Sequence, residues 1–480
     1  MNVSITELIL KKRDGLELTA EEIYFFIDSV VSATLKEAQT GAMLMAMFLS
    51  GLSFQETVSL TRAMAKSGQI FSLNEDNVKV SDLVDKHSTG GVGDKVSLIL
   101  APTLAALGLK VPMMSGWSLN HTGGTLNKLQ TIPARIFLEG FQVCLNVHQM
   151  KESLAEAGCF ICSSSDMFAP ADSILYKLRD LTGTVDNSGL IASSILSKKV
   201  AEGIDTLVVD VKYGRGSFQR TVEEAISLAD IMVKIGKELN LNVRTVLSEM
   251  NTPLGRCVGN ALEVLESVKC LRNEVDGDLV NLVKFLGAVI LESKGLRLST
   301  HLDSSFLSIH LLDAANRLAG TVKSLDEGKK LIMKTIEDGS ALSSFEKMLR
   351  AQGVAQDDAS ALCDGRFSAV LPKAPWVTEL LSPKTGVVTK IDSLNVGRAC
   401  WLLAGGRHKS NGQMDHPSAS SGVLLLKLLG DRIEKNEPWI QVHHSTEVLL
   451  PEIQRLIERS LEVDSSGASV NKHLTITLHT

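Results

Sequence analysis

The sequence predicts an α/β protein: a mostly parallel central sheet, a helical segment before it and a smaller β-rich unit after it. Three observations carry this prediction. Residues 1–67 read as several short helices, β-prone and helical runs alternate from about residue 78, and the last third returns to short strands around tight turns. Alternating strands and helices give a parallel sheet covered on both faces, which binds ligands at the carboxyl ends of its strands. At 480 residues the chain exceeds a single compact core, and length alone suggests about three structural units.

Taken in order, Thr19-x-x-Glu22 and Ser53-x-x-Glu56 spell capping boxes, and Gly68 stops the last of the early helices. Between them the apolar run 42–49 reads as helical core or subunit contact, in preference to a Met-lined ligand site. Strand-like runs then follow at 82–85, 111–114, 206–211 and 243–248, with helical runs at 96–107, 122–129 and 222–239. Cys159-Phe-Ile-Cys162 has CxxC spacing but lies in an apolar strand-like run, where alternation sends the two thiols to opposite faces. A buried strand is therefore expected there. Gly386–Ile391 and the segment 430–442 read as short strands, separated by the polar loop 407–421, and His443-His444 reads as a strand edge and not as a metal pair.

Composition excludes several classes. A net charge of −6, no basic tract and 4% aromatics disfavour nucleic acid or an anionic membrane as partner. The longest apolar runs fall short of the roughly 18 residues a span needs, and the start lacks a cationic leader. Seven scattered cysteines suggest reduced thiols, so a cytoplasmic location is expected.

Two glycine-rich stretches, 86–95 and 115–125, place hydroxyls, backbone amides and a cation where strand-like segments end. Small residues let the backbone approach an anion closely, and a helix amino end adds partial positive charge. The first fits neither GxGxxG nor the triphosphate-binding GxxxxGK[ST] loop, and a structural turn would also explain it. Its repetition some thirty residues later favours a phosphate site. A third cluster spans 179–199, where Ser194 and Lys198 lie one turn apart on a helix face.

Asp85-Lys-His-Ser-Thr-Gly-Gly-Val-Gly-Asp94, the 115–125 loop, Ala169-Pro-Ala-Asp172, Ser194-Ile-Leu-Ser-Lys-Lys199 and Asp210-Val-Lys212 occur in one order along nearly the whole chain. Together they resemble the thymidine phosphorylases and related pyrimidine-nucleoside phosphorylases. Pro253–Asn260 and 338–342 resemble the animal members in particular. The resemblance implies the nucleoside phosphorylase and phosphoribosyltransferase-like fold of type II. Its helical domain would comprise residues 1–67 completed by 171–201, its α/β domain 68–170 and 202–341, and a C-terminal subdomain 342–480.

The activity implied is attack of inorganic phosphate on C1′ of a pyrimidine (deoxy)nucleoside, reversibly giving free base and an α-pentose 1-phosphate, with thymidine or deoxyuridine the favoured substrate. By position, Lys86, Ser88, Ser97, Ser115 and Thr125 would hold phosphate. His87, Arg179, Ser194 and Lys198 would grip the pyrimidine, with His87, Arg179 and Lys198 acting on the departing base. The family also implies domain closure and a homodimer through the helical domain. Neither an organic cofactor nor a tightly bound metal is expected. Some bacterial relatives hold potassium where this chain has Leu254, Cys257 and Glu266, and Lys95 would here replace or repel it.

The second loop departs from the family's usual Ser-Gly-Arg-Gly-Leu-Gly-His-Thr-Gly-Gly-Thr-Leu-Asp-Lys-Leu-Glu. Here Trp117 stands for Arg, Ser118 and Asn120 for Gly, Asn127 for Asp and Gln130 for Glu. One cation and two anions disappear together, as expected if they formed a charge network. Trp117 reads either as packing or as a wall of the phosphate site, and Asn120 tolerates positive φ. Asn187-Ser-Gly189 replaces the usual Ser-Ile/Leu-Pro, so uridine acceptance is an alternative to thymidine preference. A weakened homologue that binds nucleoside or a protein partner is a further alternative. A phosphoribosyl transfer, as in the distantly similar anthranilate enzymes, is disfavoured by Arg179, Ser194 and Lys198.

Overall fold

The computed structural model describes residues 4–73, 83–133, 141–294, 322, 324–406, 418–465 and 474–479. The chain opens with helices α1 (Ile5–Arg13), α2 (Ala20–Val31), α3 (Glu37–Ser50) and α4 (Phe54–Lys66). Capping boxes start α2 at Thr19 and Glu22 and α4 at Ser53 and Glu56, as the sequence predicts, and a third starts α1 at Ser4 and Glu7. Gly68 is required for a different reason from a helix stop. A Cβ there would lie 2.3 Å from the Met167 carbonyl oxygen, whose partner is the Gln69 amide.

Next come β1 (Val84–Ser88), α5 (Val96–Ala106), β2 (Val111–Ser115), α6 (Thr125–Leu129), α7 (Val147–Glu156), β3 (Cys159–Ser163), α8 (Pro170–Thr182) and α9 (Ser188–Ala201). β4 (Thr206–Tyr213), α10 (Val222–Glu238) and β5 (Asn242–Glu249) complete the alternation. β1, β4 and β5 pair in parallel, β2 and β3 form a second parallel pair, and a parallel bridge between Leu83 and Lys110 joins the two sets. The strand order along this layer is 3-2-1-4-5, so it reverses between β1 and β4. That reversal opens a crevice beyond the ends of β1 and β4.

Side-chain alternation divides β3 as expected: Cys159 joins the core on one side of the sheet and Cys162 the core on the other. A third core unites α1–α4 with α8 and α9 through Phe26, Met43, Met47, Leu60, Leu175 and Leu190. In α3, Met43, Leu44 and Met47 are buried while Leu49 is 75% exposed, so the 42–49 run is only partly core.

The remainder comprises β6 (Cys257–Val258), α11 (Asn260–Leu271), α12 (Asp278–Ser293), α13 (Leu325–Glu337), α14 (Ser340–Ala351), α15 (Gln356–Cys363), α16 (Phe367–Val370), β7 (Trp376–Leu381), β8 (Gly386–Ile391) and α17 (Ser393–Leu403). β9 (Gly422–Leu425), β10 (Arg432–Ile433), β11 (Pro438–His444), α18 (Pro451–Glu458), β12 (Leu461–Asp464) and β13 (Ile476–His479) end it. β13 adds antiparallel to β5, while two antiparallel sheets, in the orders 10-8-12 and 6-9-11-7, form the β-rich end. β11 is an interior strand, paired on both sides at His443, which corrects the expected edge. His444 is buried against the Thr378 hydroxyl and the Thr446 carbonyl. Most of the polar 407–421 loop lies outside the described residues.

Candidate active site

β1 runs through Ser88, so Lys86, His87 and Ser88 close the strand where the sequence suggested that Lys86 and His87 follow it. Pairing to β4 extends through Ser88 and Asp210, which holds these residues in extended backbone. Alternation then separates their roles. Lys86 and Ser88 share one face, and His87 takes the other. Lys86 Nζ lies 3.5 Å from Ser97 Oγ in the first turn of α5 and 3.9 Å from Asp94. Ser88 Oγ donates to Asp94 at 2.6 Å.

The loop after β1 turns through Gly90 and Gly93, both at positive φ. A Cβ on Gly93 would meet the Leu254 carbonyl oxygen at 2.7 Å, so only glycine fits. Lys95 leaves this loop for the interior, donating to Leu254 O at 2.8 Å and Glu266 at 2.6 Å. Glu266 also accepts from the amides of Arg256 and Cys257. An ammonium from the chain thus sits beside the groups at which bacterial relatives were expected to hold an ion.

β2 ends on Ser115, and the second loop folds back on itself. Asn120 adopts φ 52°, and Asn127 accepts from the Ser118 amide at 2.7 Å. A Cβ on Gly124 would come within 2.3 Å of Trp117 C. α6 begins at Thr125, three residues later than the sequence suggested, because Leu119 and Thr122 close a turn first. Trp117 both packs on the core and lines the cavity, so its two readings coexist. Gln130 is exposed at the end of α6, which removes it from any buried charge network with positions 117 and 127.

The third wall comes from α8 and α9. Asp172, Tyr176 and Arg179 occupy one face of α8 at positions i, i+4 and i+7. Arg179 is buried and donates to the carbonyls of Thr184, Val185 and Leu190, which shape the turn into α9. Asn187 caps α9 by accepting from the Leu190 amide. Lys198 Nζ donates to Asp172 at 2.6 Å, to Ser194 O at 2.6 Å and to Ser194 Oγ at 3.0 Å. Asp172 belongs to the Ala169–Asp172 motif, and its i, i+4, i+7 spacing with Tyr176 and Arg179 is the sequence signal for its place in the site.

All nine predicted substrate residues, Lys86, His87, Ser88, Ser97, Ser115, Thr125, Arg179, Ser194 and Lys198, line one cleft. Trp117 also lines it, whereas Ser118, Asn120, Asn127 and Gln130 do not. Ile191, Ile195, Val185 and Phe218 supply apolar walls that sequence motifs did not reveal. Burial lowers the Lys86 and Lys198 ammonium groups from their usual values, against the pull of Asp94 and Asp172 respectively. Burial, then Lys199, Lys198 and Lys86, holds the His87 imidazole well below 6.5, so the ring is neutral at pH 7.

Residues 80–342 match the glycosyl transferase family a/b domain, 6–68 its helical bundle domain, and 387–464 the pyrimidine nucleoside phosphorylase C-terminal domain. Thymidine phosphorylase of Homo sapiens is 42% identical over 95% of this chain and 88% of its own length. The chain belongs to the thymidine and pyrimidine-nucleoside phosphorylase family. The Mus musculus thymidine phosphorylase is 41% identical over 95% of this chain and 90% of its own. A pyrimidine-nucleoside phosphorylase of Staphylococcus haemolyticus is 36% identical over 97% of both chains. Both family branches therefore span the entire cleft described above.

Proposed function

We propose that this protein catalyses reversible phosphorolysis of pyrimidine nucleosides, with thymidine and deoxyuridine as preferred substrates. The observation that carries the reading is the convergence of three cationic side chains, Lys86, Arg179 and Lys198, with hydroxyls and a neutral His87 on one two-ended cleft. Lys86, Ser88, Ser97, Ser115 and Thr125 form the phosphate end. Arg179, Ser194, Lys198 and His87 form the pyrimidine end.

Phosphate attacks C1′, the C1′–N1 bond breaks with its electron pair going to the base, and one phosphate proton ends on that base. Charge on the base grows in the transition state, and Arg179 and Lys198 stabilise it most there. Three of the five N–H groups of Arg179 hold backbone carbonyls, which fixes the guanidinium while leaving two for the base. Ser194 accepts from Lys198, so its own hydrogen is available to a base carbonyl. His87, neutral at pH 7, serves as a hydrogen-bond donor. Phosphate is itself the nucleophile, so the chain need only position it and exclude water.

The same reading needs no organic cofactor and no resident metal; the Lys95 ammonium already compensates Glu266. The thiols are free, which supports a cytoplasmic location; among the described residues no helix is long and apolar enough to cross a membrane. A homodimer through the helical domain is supported by exposed Leu10, Leu16, Met45 and Leu49. The decisive assay follows free base from thymidine, deoxyuridine and uridine with and without phosphate. Phosphate-dependent release is expected, and no release from any of them overturns the proposal.

A further inference from the structure

The phosphate end contains an acid. Among the residues lining the cleft, Asp94 is the sole carboxylate, and it is buried with its pKa held far below the usual range. Burial alone would raise that pKa, but Lys86, Lys212 and the Ser88 hydroxyl outweigh it. Oδ2 accepts from Ser88 Oγ at 2.6 Å, and Oδ1 accepts from the Val96 amide at 3.3 Å. Lys86 and Lys212 each stand 3.9 Å away, which is charge compensation without a direct hydrogen bond.

This arrangement fixes the direction of the hydrogen bonds. Ser88 has one hydroxyl hydrogen, and Asp94 takes it. The Gly90 amide donates to Ser88 Oγ at 3.3 Å as well. Toward the cleft, both Ser88 and Asp94 then offer lone pairs. A fully deprotonated oxyanion meets repulsion there, whereas an oxyanion carrying an O–H meets a charge-assisted acceptor.

We propose that the Asp94–Ser88 pair is a specificity-determining element that selects a protonated tetrahedral oxyanion, hydrogen phosphate or hydrogen arsenate, over sulfate and selenate. The inference rests on the phosphate-end reading above. Sulfate matches phosphate in shape and charge but carries no proton at neutral pH, so size and charge alone cannot separate them. A site made only of lysine and donor hydroxyls would bind both.

The test uses the whole chain with thymidine near neutral pH. Phosphate KM, arsenolysis, and sulfate and selenate inhibition against phosphate are measured. Arsenate should substitute within a few-fold, while sulfate and selenate should inhibit only at concentrations at least about tenfold above the phosphate KM. In Asp94→Asn, which presents a donor of the same shape, phosphate KM should rise and the sulfate inhibition constant should fall, narrowing the gap by about tenfold. Sulfate competing as well as phosphate in the wild-type enzyme overturns the proposal, and that comparison stands even if the variant does not fold. Equal weakening of both anions in Asp94→Asn also overturns it, since that marks a purely structural role. If Ser115→Ala and Thr125→Ala leave phosphate KM unchanged, the phosphate-end reading itself fails, a result distinct from a loss of selectivity.

Discussion

His87 is buried with three lysines acting on it, and burial leads in setting its titration. Burial first, then Lys199, Lys198 and Lys86, lowers its folded pKa below the ordinary 6.5. As pH falls below 6.5 the unfolded chain therefore takes up the proton before the folded one, and the stability linked to His87 declines from that point downward. In kcat/KM profiles, the acid limb that His87→Gln removes should lie below pH 6.5; a His87-dependent limb at or above 6.5 contradicts the neutral ring. Lys198 depends in turn on Asp172. Lys198→Met should lower kcat/KM by about a hundredfold or more through lost transition-state stabilisation. Asp172→Asn leaves the buried ammonium without its counter-charge and should cost about 3 kcal/mol in urea unfolding.

At the scale of elements, the second loop, whose spelling departs from the family pattern, is held by contacts of its own. Asn120 already holds φ 52°, so Asn120→Gly should leave the urea midpoint nearly unchanged while Asn120→Ala costs about 1 kcal/mol. Gly124→Ala forces a Cβ against the Ser118 amide and should raise phosphate KM by at least about tenfold, because small displacements of positioning groups are costly. Restoring charge should follow position. Trp117→Arg with Asn127→Asp should act as a pair, and adding Gln130→Glu should change little, since Gln130 is solvated. A large gain from Gln130→Glu would revive the three-member network. Lys95 ties the first loop to α11, so Lys95→Met strands buried Glu266 and should destabilise by about 3 kcal/mol, partly recovered by Glu266→Gln.

At the scale of the whole molecule, the cleft joins two cores. Tyr176 on α8 donates to Trp117 O in the second loop at 2.9 Å, linking the α8–α9 wall of the cleft to the second glycine-rich loop. Removing that bond with Tyr176→Phe should raise nucleoside KM severalfold with little change in urea midpoint; an equal fall in stability would make it a fold contact only. On the outer face of the helical core, Leu49→Glu places charge on an exposed apolar side chain. On the proposed homodimer it should shift light-scattering mass from dimer to monomer; an unchanged dimer places the interface elsewhere, and a monomeric wild type overturns the proposed dimer.

Local signals carried much of this architecture. Capping at Thr19 and Ser53, alternation through β3 and the period-3.6 face of α10 are short-range patterns, so they survive without knowledge of neighbours. The glycine-rich loops and their hydroxyls were legible for the same reason. Boundaries were less so: pairing with β4 drew Lys86–Ser88 into β1, and two-sided pairing made β11 interior. By itself the sequence determined the α/β class and named nine candidate site residues, because motif spelling fixes which side chains are present, and the structure brings all nine to one cleft. Only the tertiary structure decided that Asp172 holds Lys198, that Lys95 neutralises Glu266 and that Asp94 takes the Ser88 hydrogen. Each of these depends on the distance and orientation of particular atoms, and charge pairing becomes decisive only once packing has removed the water around it.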